Sequence, residues 1–236
     1  MMLLRCLFHI HTRFSFDSWL SPHEIVRRAR ASKTDMLIVT DHNTIRGSQE
    51  AVRLAQGNPR HVIVAAEYKT EKGDLIGLFL TEEVRARQSD HVIREIKAQG
   101  GMVVLPHPYK GHTLDEALLA GVDLIETFNA RCSAWQNSCA EKLARELGKP
   151  GLGGCDAHFA PELKSAVTEF SVDLPHSEDA LRKVLLTAPR SVHVTAVSSA
   201  YRQYSQMIKA VKTGNPLLFL SQVKRLVLAP FADNSR

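Results

Sequence analysis

Residues 7 to 18 read LFHIHTRFSFDS, an apolar run that carries His9 and His11 two positions apart and Asp17 six residues further on. Imidazoles at i and i+2 of a strand project from one face, so the pair predicts two nitrogen donors aimed into a single cavity. Similar residues recur down the chain. Asp41 and His42 end LIVTDHNT, Glu67 ends the apolar part of VIVAAEYKT, and His107 lies in GMVVLPHP. Glu126 and Asn129 lie in LIETFNAR, and Asp156 and His158, again two apart, follow GLGGC. Burying so many imidazoles and carboxylates together is costly unless cations compensate them. Mixed nitrogen and oxygen donors suit Zn²⁺, Mn²⁺ or Fe²⁺ better than Mg²⁺ or Ca²⁺. The donors outnumber the positions around one ion, so more than one metal is expected, with a carboxylate such as Glu67 bridging two.

The elements that must position these groups follow from the hydrophobic pattern. Strands are expected at Arg5–His11, Met36–Thr40, His61–Glu67, Asp74–Leu80, Met102–Pro106, Asp123–Phe128, Gly151–Cys155 and Thr168–Asp173. Helix-start chemistry separates most of them. Ser21-Pro22-His23-Glu24 and Thr113-Leu114-Asp115-Glu116 read as capping boxes, and Ser89-Asp90 opens a third helix. Lys72-Gly73 predicts that the Asp74 strand folds back on its predecessor as a hairpin. About seven strand–helix units imply a closed α/β barrel of largely parallel strands. The polar residues then all lie at the C-terminal strand ends, the edge where barrel loops converge and active sites are built. One barrel domain is expected over residues 1–197, with a helical extension over 198–236 packed on it.

The bulk composition is that of an ordinary globular protein, with 236 residues, 44% hydrophobic and 23% charged. MMLLRCLF is too short for a signal sequence, and no apolar run reaches the ~18–20 residues of a membrane span, so no membrane association is expected. Scattered Cys6, Cys132, Cys139 and Cys155 form no CxxC pair and read as reduced thiols in a cytoplasm. The net charge of +5 is concentrated at the end of the chain, where Arg202, Lys209, Lys212, Lys224, Arg225 and Arg236 face Asp233 alone. Such a segment is a solvated helix face or a device that steers phosphate-bearing ligands.

The ordered motifs HIHTRFSFDS, TDHNT, AAE, LPHP and GCDAHF resemble the PHP (polymerase and histidinol phosphatase) family over roughly residues 3 to 195. The resemblance implies a distorted (β/α)7 TIM-like barrel with a two- or three-metal site at the C-terminal face of the strands. It assigns His9, His11, Glu67 and Asp156 to a first metal, Glu67 and His107 to a second, and Asp17, His42 and His158 to a third. Histidinol-phosphatase-like members place another histidine near the strand DLIETFNAR. This chain has Glu126 and Asn129 there and no histidine between His112 and His158. The second metal then lacks a ligand, or takes His112 or water.

The expected function is hydrolysis of a phosphate ester by a metal-bound hydroxide, on a small phosphomonoester, a nucleotide or a short oligonucleotide. Asp156 would orient the nucleophile and His158 would stabilise the leaving oxygen. Lys110 and Arg131, just past strand-end ligands, would contact phosphate oxygens. The alternatives are a binuclear hydrolase of amidohydrolase type and a non-catalytic metal-binding module.

Overall fold

Runs such as MLIV and MVVL are four-residue stretches apolar on both faces, which suits strands covered on both sides. In the computed structural model, which describes residues 3–232, they become the staves of a barrel. Its wall is β1 (Leu3–Phe8), β2 (Met36–Val39), β3 (His61–Thr70), β4 (Gly73–Leu78), β5 (Met102–Leu105), β6 (Leu124–Asn129) and β7 (Gly151–Gly154). All run parallel except β4, which pairs antiparallel with both β3 and β5. The expected hairpin is therefore present, and it turns one stave upside down. The barrel closes only at its C-terminal edge. There Cys155 N donates to Phe8 O (2.9 Å), Ala157 N to His9 O (3.1 Å) and His11 N to Ala157 O (2.8 Å).

Helices α1 (Pro22–Ala31), α2 (Arg46–Ala55), α3 (Ser89–Ala98), α4 (Glu116–Gly121) and α5 (Ala134–Glu146) accompany the staves. Ser21 caps α1 as expected, accepting from Glu24 N at 3.1 Å. The second cap is Asp115 rather than Thr113, because its carboxylate accepts from Leu118 N at 2.9 Å. The strand expected at Thr168–Asp173 is β8 (Ala166–Ser171). It is no parallel stave but an antiparallel partner for the first half of β1, and β9 (Arg190–Val194) pairs on its outer side. Between them, α6 (Glu178–Thr187) seals the barrel floor with Leu181, Val184 and Leu185.

The apolar clusters reveal the phase of each strand. Leu4, Cys6 and Phe8 point into the barrel with Ile38, Ala65, Leu78 and Val104, whereas Leu7 points outward beneath Ile25, Val26 and Ala29 of α1. Continued alternation would send His9 and His11 outward with Leu7. The strand expected to reach His11 instead stops at Phe8, and His9 adopts φ +66°. One left-handed residue inverts the phase, so Ile10 joins the outer layer and both imidazoles turn into the barrel mouth. His107, after β5, has φ +28°, and Asp156, after β7, has φ +45°. Each such backbone costs about 1–2 kcal/mol, which packing around it must offset.

Helices α7 (Ala200–Lys212) and α8 (Pro216–Ala232) pack against each other, and α7 lies over the loops at the mouth. Lys212 Nζ donates to the carbonyls of Arg13, Ser15 and Ser18 at 3.0, 2.7 and 2.6 Å. Part of the basic segment is thus consumed in docking. Asp233 and Arg236 lie outside the described residues. No described helix is long and apolar enough to cross a membrane.

Gly154 is where β7 approaches β6 and β1 too closely for a side chain. A Cβ there would lie 1.7 Å from Glu126 Oε1 and 3.1 Å from His9 Cβ. Gly154→Ala is therefore expected to destabilise the fold by roughly 1–3 kcal/mol, by overpacking. Urea unfolding checks this, and an unchanged midpoint would contradict the close approach.

Candidate metal centre

Glu67, the last inward residue of β3 before its hairpin, stands at the middle of the mouth. Its Oε1 is 3.2 Å from His107 Nε2 and 3.4 Å from His9 Nε2, and its Oε2 is 3.1 Å from His42 Nδ1 and 3.6 Å from His11 Nε2. Asp156 Oδ1 approaches His11 Nε2 (3.5 Å) and His9 Nε2 (3.8 Å) from β7. Asp17 Oδ2 lies 3.1 Å from His158 Nε2 and 3.4 Å from His42 Nε2. All eight residues expected as ligands converge in this cup, and only His42 among them is more than slightly exposed. Potential ligand atoms of His9, His11 and Glu67 lie within 4.8 Å of one another, as do those of His11, Asp17, His42 and His158.

Other residues aim the ligands. His9 Nδ1 meets Glu126 Oε1 at 2.7 Å, which turns Nε2 toward Glu67 and Asp156. A β-bulge between Glu126 and Phe128 delivers that carboxylate. Its Oε2 accepts from His107 N (2.7 Å) and Asn129 Nδ2 (3.0 Å), so one buried glutamate fixes two histidines. Such carboxylate–histidine pairs set the tautomer and ring orientation of metal-binding histidines. His158 Nδ1 donates to Asp156 O (2.9 Å), leaving Nε2 toward Asp17. Asp41 fastens the loop after His11, accepting from Thr12 N (2.5 Å), Thr12 Oγ1 (2.6 Å) and Ser15 Oγ (2.8 Å). Ser18 Oγ bonds the carbonyls of both His11 and His158 at 2.9 Å.

Arg131 does not reach a phosphate site. Its buried guanidinium grips Glu162 (2.9 and 3.0 Å from Nη2) and donates to Ser205 Oγ of α7 at 2.8 Å. Glu162 in turn accepts from His158 N (2.9 Å) and Phe159 N (3.0 Å). The arginine therefore positions His158 and anchors α7, because a buried carboxylate there demanded a fixed bidentate partner. Lys110 keeps a partly exposed ammonium at the rim, 3.5 Å from Asp156 Oδ2.

Sequence reasoning missed Asp74. It searched C-terminal strand ends, and Asp74 is at the N-terminal end of the inverted stave β4. Ligand-capable atoms of Glu67, Asp74 and His107 lie within 4.8 Å of one another. His112 lies beside them with Nε2 on Asp74 O at 2.8 Å.

The electrostatics are those of a cup built for cations. Burial opposes ionisation of Glu67, yet His9, His42 and His107 hold its carboxyl well below the usual range. Burial also opposes Asp156, which Lys110, His9 and His11 pull down, and Asp17, which His158 and His42 pull down. Against burial, Glu126, Asp156 and Glu67 raise His9, and Glu67 and Asp17 lift His42 to about 9. Burial and the neighbouring His158 and His42 drive His11 down to about 3. His9 Nε2, which faces Glu67 and Asp156, and Asp17 Oδ1 are buried with no hydrogen-bond partner. Unpartnered buried polar atoms, a mixed nitrogen and oxygen donor set and locked imidazoles all fit divalent transition metals.

Comparison with known proteins agrees with this fold. A family model described as PHP-associated matches residues 134–187. The uncharacterized protein MJ1587 of Methanocaldococcus jannaschii is 33% identical over 155 residues, covering 59% of this chain and 91% of that protein. Two solved structures share the fold. One is a two-domain protein of Bacteroides vulgatus containing a predicted PHP-like metal-dependent phosphoesterase, with TM-score 0.70 and 18% identity over 82% of this chain. The chain spans 65% of that protein's length. The other is PsfC of Pseudomonas syringae, with TM-score 0.63 and 21% identity over 89% of this chain and 99% of that one.

Metal uptake should displace protons, since a ligating imidazole must be neutral. His42 holds its proton up to about 9 in the metal-free cup, so apparent affinity should rise as pH goes from 6 to 9. Adding Mn²⁺ to chelator-stripped protein at pH 7 should release protons. It should also add about 2.7 kcal/mol of stability at a hundredfold excess over Kd, reversed by EDTA. Calorimetry in two buffers and thermal scans measure both. Mn²⁺ uptake without proton release would contradict the charge distribution described.

Proposed function

Since the chain belongs to the PHP family, we propose that it is a metal-dependent phosphoesterase that hydrolyses a small phosphomonoester, a nucleotide or a short oligonucleotide. The observation that carries this reading is the buried cup itself, where five imidazoles converge on Asp17, Glu67 and Asp156 while His9 Nε2 and Asp17 Oδ1 lack partners. His9, His11, Glu67 and Asp156 would hold one ion, Glu67 and His107 a second, and Asp17, His42 and His158 a third. Mn²⁺, Zn²⁺ and Fe²⁺ suit the donors. Bound ions supply Lewis acidity to a phosphoryl oxygen and acidify water at neutral pH.

The chain's own groups do the rest. Asp156 presents Oδ1 to His9 and His11, while Asn129 Nδ2 (3.3 Å) and Lys110 Nζ hold Oδ2 at the rim. From there it orients the attacking water and accepts its proton at Oδ2. Lys110 is the cation nearest to an incoming phosphate and neutralises one of its oxygens. His158, with Nδ1 committed to a carbonyl, presents Nε2 beside Asp17, so that either this nitrogen or an ion held by it would stabilise the leaving oxygen. Phe16 stacks on His42 with ring centroids 4.4 Å apart and carries Lys209 Nζ 4.7 Å from its own centroid, which places a second cation on that side of the cup. The remaining cations of the C-terminal segment favour an anionic substrate through long-range steering.

Asp156→Asn keeps the shape and removes the base. With added Mn²⁺ its turnover on a panel of phosphomonoesters and dinucleotides should fall at least ~10²-fold below wild type, the range of general-base contributions. Full retained activity would sink the assignment. Turnover by the wild type of amides or carboxylic esters alone would point to the amidohydrolase alternative, and no turnover at all to a binding module.

A further inference from the structure

The second metal, as the family pattern has it, is short of a ligand. The region where a histidine is expected holds Glu126 and Asn129, and both are spent. Glu126 bonds His9, His107 N and Asn129, and Asn129 bonds Glu126 and Asp156. We propose that Asp74 completes that site, binding a divalent ion together with Glu67 and His107, and that His112 acts as its positioning residue. The inference rests on the metal-dependent reading above and goes beyond it in assigning a ligand from an inverted strand.

Three observations support it. Topology comes first: because β4 runs antiparallel between β3 and β5, its first residues lie at the mouth, where every other stave contributes its last. Gly73 begins the strand at φ +117°, and a Cβ there would stand 2.3 Å from the His112 ring. The ring thus packs on the turn, and its Nε2 bonds the Asp74 carbonyl at 2.8 Å, which holds the backbone from which the carboxylate extends. His112 is engaged as an orienting group and not free as the substitute ligand that its position in the sequence suggests.

The second observation is proximity: ligand atoms of Glu67, Asp74 and His107 fall within 4.8 Å of one another. The third is that these groups are left wanting a cation. His107 is 6% exposed, and its Nδ1 is buried with no hydrogen-bond partner. Among the described residues, no lysine, arginine or hydroxyl donates to the Asp74 carboxylate, which stands beside the buried Glu67. Two carboxylates and an imidazole at this separation repel or strand one another without an ion, and would offer it a mixed oxygen and nitrogen donor set.

The test compares wild type with Asp74→Asn and Asp74→His as full-length, chelator-stripped proteins titrated with Mn²⁺, following free Mn²⁺ by electron paramagnetic resonance. D74N should lose one equivalent of bound Mn²⁺, or bind it at least tenfold more weakly, and keep the remainder. D74H, which restores a donor, should recover that equivalent. Metal-free D74N should unfold at or above the wild-type temperature, since a repulsion is relieved; a merely structural aspartate would lower it. The inference is overturned if D74N binds Mn²⁺ with wild-type stoichiometry and affinity, or if its only change is a lower metal-free unfolding temperature. A wild type that takes up no Mn²⁺ would instead overturn the metal reading of the whole cup, an outcome distinct from loss confined to D74N.

Discussion

Everything at the mouth of this barrel answers one constraint: carboxylates placed among imidazoles out of reach of water must be matched by positive charge. Glu67, Asp156, Asp17 and Glu126 are all buried, and each meets one or more histidines within hydrogen-bond or ion-pair range. An isolated ionised carboxylate in such a place would be prohibitive. In the metal-free cup, shared protons on His9 and His42 supply the match. Divalent ions supply it better, because they bind several oxygens and nitrogens at once and would satisfy Asp17 Oδ1 and His9 Nε2, which have no hydrogen-bond partner.

The scaffold accepts local strain to meet that demand. His9, His107 and Asp156 all take left-handed backbones where their strands run out. The barrel is zipped shut only along the same edge, by the bonds that link Phe8, His9 and His11 to Cys155 and Ala157. Strand closure and ligand placement are therefore one event, since the bonds that join β7 to β1 also bring Asp156 against His9 and His11. The apolar interior below, from Leu4 and Phe8 to Phe170 and α6, holds the staves that bear this strain.

A second layer couples the site to the end of the chain. Glu162 holds the amides of His158 and Phe159, Arg131 holds Glu162, and Ser205 of α7 holds Arg131. Lys212 clasps the loop that carries Asp17. The helices after the barrel are thus part of the mouth's construction. An arginine that looks free to meet phosphate in the sequence is occupied because a buried glutamate thirty-one residues later has no other cationic partner among the described residues.

Much of the site was legible in the sequence, for a simple reason. Imidazoles and carboxylates at the ends of apolar runs are anomalous wherever they occur, and recurrence at successive runs implies one shared cavity. His9, His11, His42, Glu67, His107, Asp156 and His158 declare themselves in that way, and Asp17 follows from its motif. A two-residue period, however, says which side chains share a face and not which face it is. His9 and His11 share a face as the pattern requires, but a left-handed His9 decided that the face is the inner one. Lys72-Gly73 announces that β4 reverses, but that this reversal brings Asp74 beside Glu67 and His107 at the mouth emerged only in three dimensions. The amino-acid order thus determined the donors and the edge on which they gather. Tertiary packing decided phase and partnership, because these depend on contacts between segments far apart in the chain: Glu126 with His9, Arg131 with Glu162, and His112 with Asp74.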